Sequence, residues 1–376
     1  MWALIFGSML IGALLSAIYL ASRFAKFLTG TRFEKNRKII RLGLGCIPVV
    51  LIALTIKLIL GTTTTMICLI HLTIFWLLCD GVQWLIRRKR KRDFKRYYAG
   101  FFAIGITMVY LAGGWYMAHH VWRTDYTLIS DKDVDNLRIV QFADSHVGAT
   151  FDGEGFAEQV KVMQNENPDL VVITGDYVDD STSKEDMIAA CKALGTLKTT
   201  YGVYYAFGNH DKGYYPSELR GYTGEDLISE LEKNNVKVLQ DETVLLGDRY
   251  YLIGRQDRSE EQKDGSRASM EQLVSGLDED KYMIVLDHQP HDYNAQAASG
   301  VDLVLSGHTH GGQLFPVNYV GEWTGENDKT YGWEKRNNTN FIVTSGISDW
   351  EIPFKTGCKS EYVVIDIKKR GQSRQS

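Results

Sequence analysis

Five short polar motifs, each closing a hydrophobic run, constrain this chain more than any other feature. In order they are Asp144-Ser145-His146, Gly175-Asp176, Gly208-Asn209-His210-Asp211, Asp287-His288 and Gly307-His308-Thr309-His310. Carboxylate, imidazole and amide groups are the ligands divalent metals take, and two cations sharing one carboxylate need about this many of them. The motifs stretch from position 144 to position 310, so only folding can gather them. Five of the nine histidines fall in motif positions, a concentration that scattered helix caps and core histidines do not explain.

The runs that precede the motifs are residues 138–142 (RIVQF), 170–174 (LVVIT), 203–207 (VYYAF), 283–286 (MIVL) and 303–306 (LVLS). Nearly continuous apolar runs of this length suit strands buried on both faces. Residues 341–344 and 362–367 read as two further strands, and helical patterns occupy 154–165, 184–196, 224–234 and 269–277. Residues 236–240, 243–246 and 250–253 read as a small antiparallel meander. The class is therefore α/β, and in open α/β sheets ligands collect beyond the carboxyl ends of the strands, where all five motifs fall.

Composition separates two regions that the net charge of −4 conceals. The first 125 residues hold 17 Lys/Arg against 4 Asp/Glu, and the rest hold 25 against 42. The basic part contains four apolar stretches, residues 2–20, 42–61, 65–86 and 98–122, each close to the roughly 20 residues that cross a bilayer as a helix. Arg23, Lys26, Arg32, Lys35, Arg37, Lys38 and Arg41 follow the first stretch, and 87–92 with Lys95 and Arg96 follow the third. If basic loops stay in the cytoplasm, four crossings put the N-terminus and everything after Trp122 outside it. A cleaved signal peptide would carry its basic residues before the apolar run instead of after it. The run 87–92 reads as a topology determinant before it reads as a binding site for anionic head groups. Lys57 and His71 lie in apolar stretches and raise a transport path, but Lys57 is close enough to an end to snorkel and a lone His is usually a packed one.

Residues 1–125 are thus expected to form a membrane anchor, 126–136 a linker within the polar stretch 123–136, 137–370 a catalytic domain and 371–376 a polar tail. The acidic charge of the larger region disfavours nucleic acid as substrate.

Taken together and in this order, DSH, GD, GNHD, DH and GHTH resemble the calcineurin-like metallophosphoesterase superfamily. The extension His308-Thr309-His310-Gly311-Gly312-Gln313 and the membrane-anchored layout are most similar to its YkuE-like bacterial branch. The resemblance covers about residues 136–370. It implies a four-layer α-β-β-α sandwich, here preceded by a bundle of about four transmembrane helices. It also implies two divalent ions, Mn, Fe, Zn or Mg, one held by Asp144, His146 and His310 and the other by Asn209, His288 and His308, with Asp176 bridging. A water between two such ions approaches hydroxide near neutral pH and would attack phosphorus. His210 is expected to stabilise phosphoryl oxygens and assist the leaving group, with Asp211 orienting it, and Gly175, Gly208 and Gly307 to allow sharp turns beside the metals.

Other positions are less determined. Asp287 and His291 read as supporting or solvated groups, and Asp179 and Asp180 as caps near Ser181 more than as ligands. Cys191 and Cys358 are the two cysteines outside the apolar stretches, and their spacing leaves a disulfide open though free thiols are favoured. Tyr214, Tyr215, Trp323, Tyr331, Trp333 and Trp350 suit a rim for an apolar substrate, a bilayer interface, or simple loop packing. Lys355 stands where the resemblance leads one to expect an Arg, which puts a bidentate phosphate clamp there in doubt. The expectation is a multi-pass cell-membrane phosphohydrolase, its catalytic domain outside the cytoplasm, that cleaves a phosphomonoester or phosphodiester of a small-molecule or lipid substrate. A receptor or scaffold that binds a phosphorylated ligand without turnover would show a degraded site, and no ligand position is missing.

Overall fold

In a computed structural model that describes residues 2–28, 38–91, 94, 96–262 and 267–371, the apolar N-terminal sequence is helical. Arg32, Lys35, Arg37, Arg92, Lys95 and the tail beyond Gly371 lie outside the described residues. The helices are α1 (Trp2–Phe24), α2 (Lys38–Arg90) and α3 (Tyr98–His119). Among the described residues, three helices are long and apolar enough to cross a membrane. The second and third apolar stretches, expected as two helices, are two helical arms that meet at Gly61 within the 53 residues Lys38–Arg90. Gly61 makes the break with φ 85° and ψ 177°. The Thr-rich residues after the break stay helical, and Thr65 Oγ1 donates to the Gly61 carbonyl at 2.8 Å. A straight helix of that length would reach about 80 Å against a hydrocarbon core of about 30 Å, so two crossings require the break.

The helices are tied by a polar cluster on Asp80. Its carboxylate pairs with Arg23 at 3.0 Å and accepts from Tyr97 at 2.6 Å and Tyr19 at 3.2 Å. His71 Nδ1 bonds the Ile67 carbonyl at 2.9 Å and Lys57 is exposed, which favours the packing and snorkelling readings over a transport path.

The chain divides near Trp115 into two compact units. The second is built on twelve strands: β1 (Val121–Ser130), β2 (Leu137–Phe142), β3 (Leu170–Thr174), β4 (Gly202–Ala206), β5 (Val236–Leu239), β6 (Glu242–Leu246), β7 (Tyr250–Gly254), β8 (Tyr282–Leu286), β9 (Leu303–Ser306), β10 (Gly332–Arg336), β11 (Thr339–Val343) and β12 (Ser360–Lys369). One sheet has the order β1-β12-β2-β3-β4-β5 and the other β10-β11-β9-β8-β7-β6. Helices α4 (Gly153–Gln164), α5 (Lys184–Leu194) and α6 (Gly224–Lys233) follow β2, β3 and β4, and α7 (Met270–Val274) and α8 (Tyr293–Ala298) flank β8. Thr223 and Asp226 close α6 with reciprocal side-chain to backbone bonds, which satisfy its otherwise unpaired first N–H groups.

The two sheets pack face to face. Ile139, Val172, Tyr204 and Ile365 of the first meet Leu252, Ile284, Leu305 and Ile342 of the second. The outer face of the first sheet buries Val140, Ile173 and Tyr205 against Phe156, Met187 and Leu231 of the helices. Met283, Val285 and Phe341 of the second sheet pack on Met270, Leu273 and Tyr293. The result is the four-layer α-β-β-α sandwich, and the central strands are mostly apolar because both of their faces are covered.

Two expectations fail here for identifiable reasons. The stretch read as a linker is largely β1, paired in parallel with β12 over ten residues. Its charged Arg123 and Asp125 are exposed while Leu128 and Ser130 are buried, so an edge strand's polar outer face disguised it as a linker. The meander is also not one motif. β5 pairs in parallel with β4 and closes the first sheet, whereas β6 and β7 form a hairpin at the edge of the second.

A chain shortened to begin at Lys132 should therefore leave one edge of β12 unpaired. Thermal unfolding and size-exclusion chromatography are expected to show aggregation and a Tm lower by about 5 °C or more than for a chain beginning at Tyr116. Equal Tm values would show that β1 is dispensable.

Candidate metal centre

Each motif leaves the carboxyl end of a strand: Asp144 and His146 follow β2, Asp176 follows β3, Asn209 to Asp211 follow β4, His288 follows β8, and His308 and His310 follow β9. The structure gathers them into two groups. Asp144, His146 and His310 bring ligand atoms within 4.8 Å of one another, and Asp176, His288 and His308 do the same. Asp176 reaches both groups, its Oδ2 lying 3.0 Å from His288 Nε2 and 3.9 Å from His146 Nε2. Asp144 Oδ1 lies 3.9 Å from His310 Nε2.

The hydrogen bonds around these groups set which atoms stay free. His146 Nδ1 lies 3.2 Å from Asp179 Oδ2, and His288 Nδ1 lies 2.7 Å from the Thr174 carbonyl. A ring nitrogen facing an acceptor carries a proton, so in the neutral ring Nε2 is the nitrogen left to ligate. His146 Nε2 is buried without a hydrogen bond, and His288 Nε2 faces Asp176 Oδ2 at 3.0 Å, an ion pair when the ring is protonated and a position a cation could take once it is not. Asn209 donates its Nδ2 to Tyr214 Oη at 2.8 Å, which leaves its buried Oδ1 without a partner. His310 Nδ1 is buried and unpartnered as well. Buried polar atoms are almost always paired, so a cluster of orphaned lone pairs beside two carboxylates fits divalent cations.

Holding these residues strains the backbone. Asp144, His146, Asp176, His308 and His310 all have positive φ, between 35° and 70°, a region that non-glycine residues rarely enter. Such strain persists only where surrounding structure over-determines it. Two glycines give it room. A Cβ on Gly208 would stand 2.2 Å from Asp176 Oδ1, and one on Gly175, itself at φ 80°, would stand 2.6 Å from His288 Nδ1.

Burial sets the electrostatics. It pushes Asp144 up to about 6, with Asp176 adding to the effect and His288 opposing it. For Asp176 burial also acts upward, but the adjacent His288 and His210 prevail and hold its carboxyl well below the usual range. His288 is raised well above an ordinary imidazole, because Asp176 and Asp144 outweigh its burial. Burial and the His288 charge bring His308 down to about 4, and burial with His146 lowers His310.

His210 lies between the groups and the surface. Its backbone N–H donates to Asp176 Oδ1 at 2.9 Å, and its ring packs 5.1 Å from His146 and 4.9 Å from Trp350. Asp211 plays a different part from the orienting one expected. Its carboxylate accepts the backbone N–H groups of Asp176 (2.9 Å), Tyr177 (2.8 Å), Val178 (3.1 Å) and Gly208 (2.6 Å). It therefore clamps the β3 and β4 loops together and acts on the site through Asp176.

Several supporting residues show only in three dimensions. Asp179 caps Ser181, its Oδ1 accepting from the Ser181 N–H at 2.7 Å, but its other oxygen fixes His146. Asp180 accepts the Tyr214 N–H at 2.9 Å, holding the loop that bears the Asn209 partner. Asp287 is buried beneath His288 in a cage of Arg267 (2.5 Å), Arg255 (3.2 Å) and Gln296 (2.8 Å). Lys355 is fully buried and donates to the carbonyls of Ser345 (2.7 Å) and Gly346 (3.3 Å), so it braces the wall behind Asp144 instead of meeting a phosphate. Cys191 and Cys358 are free thiols. Of the aromatic residues, Trp350 lines the site, Tyr331 bonds Glu361 at 2.8 Å, and Tyr215, Trp323 and Trp333 are exposed.

Replacing Asp179 by Asn should weaken Mn binding roughly 10- to 100-fold in competition with a chelator, because the partner that fixes the His146 tautomer is weakened. Unchanged affinity would deny it that role. Asp211→Ala should cost at least about 3 kcal/mol in denaturant unfolding, since four buried N–H groups lose a charged acceptor. A loss within error would contradict the clamp.

Comparison with known proteins places this architecture. A family model described as calcineurin-like phosphoesterase matches residues 137–312. An uncharacterized metallophosphoesterase of Aquifex aeolicus is 31% identical over 252 residues, covering 65% of this chain and 91% of the relative. The uncharacterized metallophosphoesterase YkuE of Bacillus subtilis is 25% identical over 301 residues, covering 74% and 99%. A zebrafish (Danio rerio) transmembrane protein with metallophosphoesterase domain is 33% identical over 248 residues, 63% of this chain but only 54% of the relative, so the chain spans about half of that protein's length.

Proposed function

The chain belongs to the calcineurin-like phosphoesterase family, and on that premise we propose that it is a membrane-anchored phosphohydrolase with a two-metal site, acting on a phosphomonoester or phosphodiester. The observation that carries this reading is the Asp176 carboxylate, whose Oδ2 lies 3.0 Å from His288 Nε2 and 3.9 Å from His146 Nε2, one in each of two groups of candidate ligands that include buried polar atoms without a hydrogen bond. Asp144, His146 and His310 would hold one divalent ion and Asn209, His288 and His308 the other, with Asp176 common to both. Bound there, the ions would polarise the phosphoryl oxygens and acidify a water.

The chain's own residues supply orientation and a proton. Asp179 and the Thr174 carbonyl keep His146 and His288 in the tautomers whose Nε2 lone pairs face the site. Tyr214 keeps the Asn209 amide turned so that its oxygen is the available atom. The His210 ring, braced by Trp350, faces the substrate side, stabilises a phosphoryl oxygen and gives a proton to the leaving oxygen. Anchoring by apolar helices is in keeping with the transmembrane relative, and the two basic clusters favour an α/β unit outside the cytoplasm.

Full-length protein stripped of metal and reloaded with Mn should hydrolyse chromogenic phosphoesters. His210→Ala should keep the metal and lose about 10²- to 10⁴-fold in turnover. Asp176→Ala should lose metal and activity together. Undiminished turnover in the first variant, or two metals retained in the second, would overturn the assigned roles. Cysteine labelling confined to the cytoplasmic side for positions after Trp122 would overturn the topology.

A further inference from the structure

The segment that follows the His308–His310 loop has its polarity reversed. Phe315 is 59% exposed, Val317 55%, Tyr319 46%, Val320 41% and Trp323 73%, while the amide of the segment, Asn318, is only 7% exposed. Large apolar side chains gathered outside over a buried polar one mark a surface made to be covered. The arrangement is held from beneath. The Gln313 carbonyl accepts the N–H groups of Thr356 (2.8 Å) and Gly357 (3.1 Å), and Asn318 lies so close under Gly312 that a Cβ there would stand 2.0 Å from its carbonyl oxygen. Residues 315–323 contain no Lys or Arg, and their one carboxylate, Glu322, accepts the Thr330 N–H at 2.6 Å. A charged protein partner would find little to pair with.

Phe, Tyr and Trp among aliphatic residues are what the boundary between lipid head groups and acyl chains takes up. The same chain carries its own bilayer-crossing sequence. α3 is apolar enough to cross, bears exposed Trp115 and Tyr116 near its C-terminal end, and is separated from β1 by His120 alone. One residue of chain, about 3.5 Å, thus tethers the first strand of the α/β unit to a helix able to cross a bilayer. The apolar segment also begins only a few residues after His310, so whatever covers it lies beside the metal centre.

From these observations we infer that residues 315–323 dock into the membrane interface and so present the metal centre to a phosphoester carried by a lipid. The docking stands on geometry alone, and the lipid-borne substrate rests on the phosphohydrolase reading given above.

The test uses full-length protein in liposomes of equimolar phosphatidylcholine and phosphatidylglycerol. A polarity-sensitive fluorophore is attached to Trp323→Cys, with the unsubstituted chain labelled in parallel to subtract signal from native cysteines. Docking predicts blue-shifted emission that is quenched by phosphatidylcholine brominated on its acyl chains. Unshifted emission, or a blue shift without that quenching as when protein covers the site, overturns it.

A triple variant, Phe315→Ser with Val317→Ser and Trp323→Ser, tests the coupling to substrate. Turnover of a soluble chromogenic phosphoester should stay within about twofold, and turnover of phosphatidic acid in the liposomes should fall about tenfold or more. Equal effects on both substrates, or a wild type that hydrolyses only the soluble one, overturn the lipid-borne substrate. A wild type that hydrolyses neither sinks the phosphohydrolase reading, while the fluorophore still decides the docking.

Discussion

The Asp176 carboxylate is buried between two imidazole-bearing loops, and most of the α/β unit is arranged to keep it there. Its Oδ1 accepts the His210 N–H and its Oδ2 faces His288. Its own backbone N–H is taken by Asp211, which also binds Tyr177, Val178 and Gly208. A buried carboxylate costs several kcal/mol unless it is paired and hydrogen-bonded. Here the balance comes from imidazoles, from the His210 backbone N–H and, on the proposed reading, from two dications. The positive φ values at five motif residues and the absence of a side chain at Gly175 and Gly208 follow from the same demand, since five strands must end within reach of one carboxylate.

Around that point the supporting groups form two tiers. Asp179, the Thr174 carbonyl and Tyr214 select which atom of His146, His288 and Asn209 faces inward. Behind them, Asp287 with its two arginines and Lys355 with two carbonyls fix the walls. Both clusters are charged, buried and hydrogen-bonded, so their contribution is position more than polarity. Removing one partner from such a cluster leaves the other unpaired, which is why each is sensitive although none is proposed to touch substrate.

Much of this was legible in the sequence because the central strands are buried on both faces and announce themselves as apolar runs. Their carboxyl ends then locate the ligands, and Asp144, His146, Asp176, His288, His308 and His310 converge as the motif order implied. What escaped reading was set by partners distant in sequence. β1 carries charges on an exposed face, so its parallel pairing with β12 left no local trace. β5 joined the opposite sheet from the hairpin it adjoins because α6 carries it beside β4. Asp211 looked like a partner for its neighbour His210, yet its carboxylate is engaged by four backbone groups of two loops, and only folding reveals those. Lys355 looked like a weakened phosphate clamp and proves to be a buried brace.

The apolar N-terminal helices and the α/β unit pose separate physical problems that this chain solves in one polypeptide. The helices satisfy their backbone internally, as the hydrocarbon core demands, and the sandwich satisfies its own by sheet pairing. The central proposal, a two-metal centre about Asp176, is tested most directly by anomalous X-ray scattering at the manganese edge from crystals of the Mn-loaded protein. The account predicts two peaks about 3.5–4 Å apart with the Asp176 carboxylate between them. One peak, or two that Asp176 does not join, would contradict it.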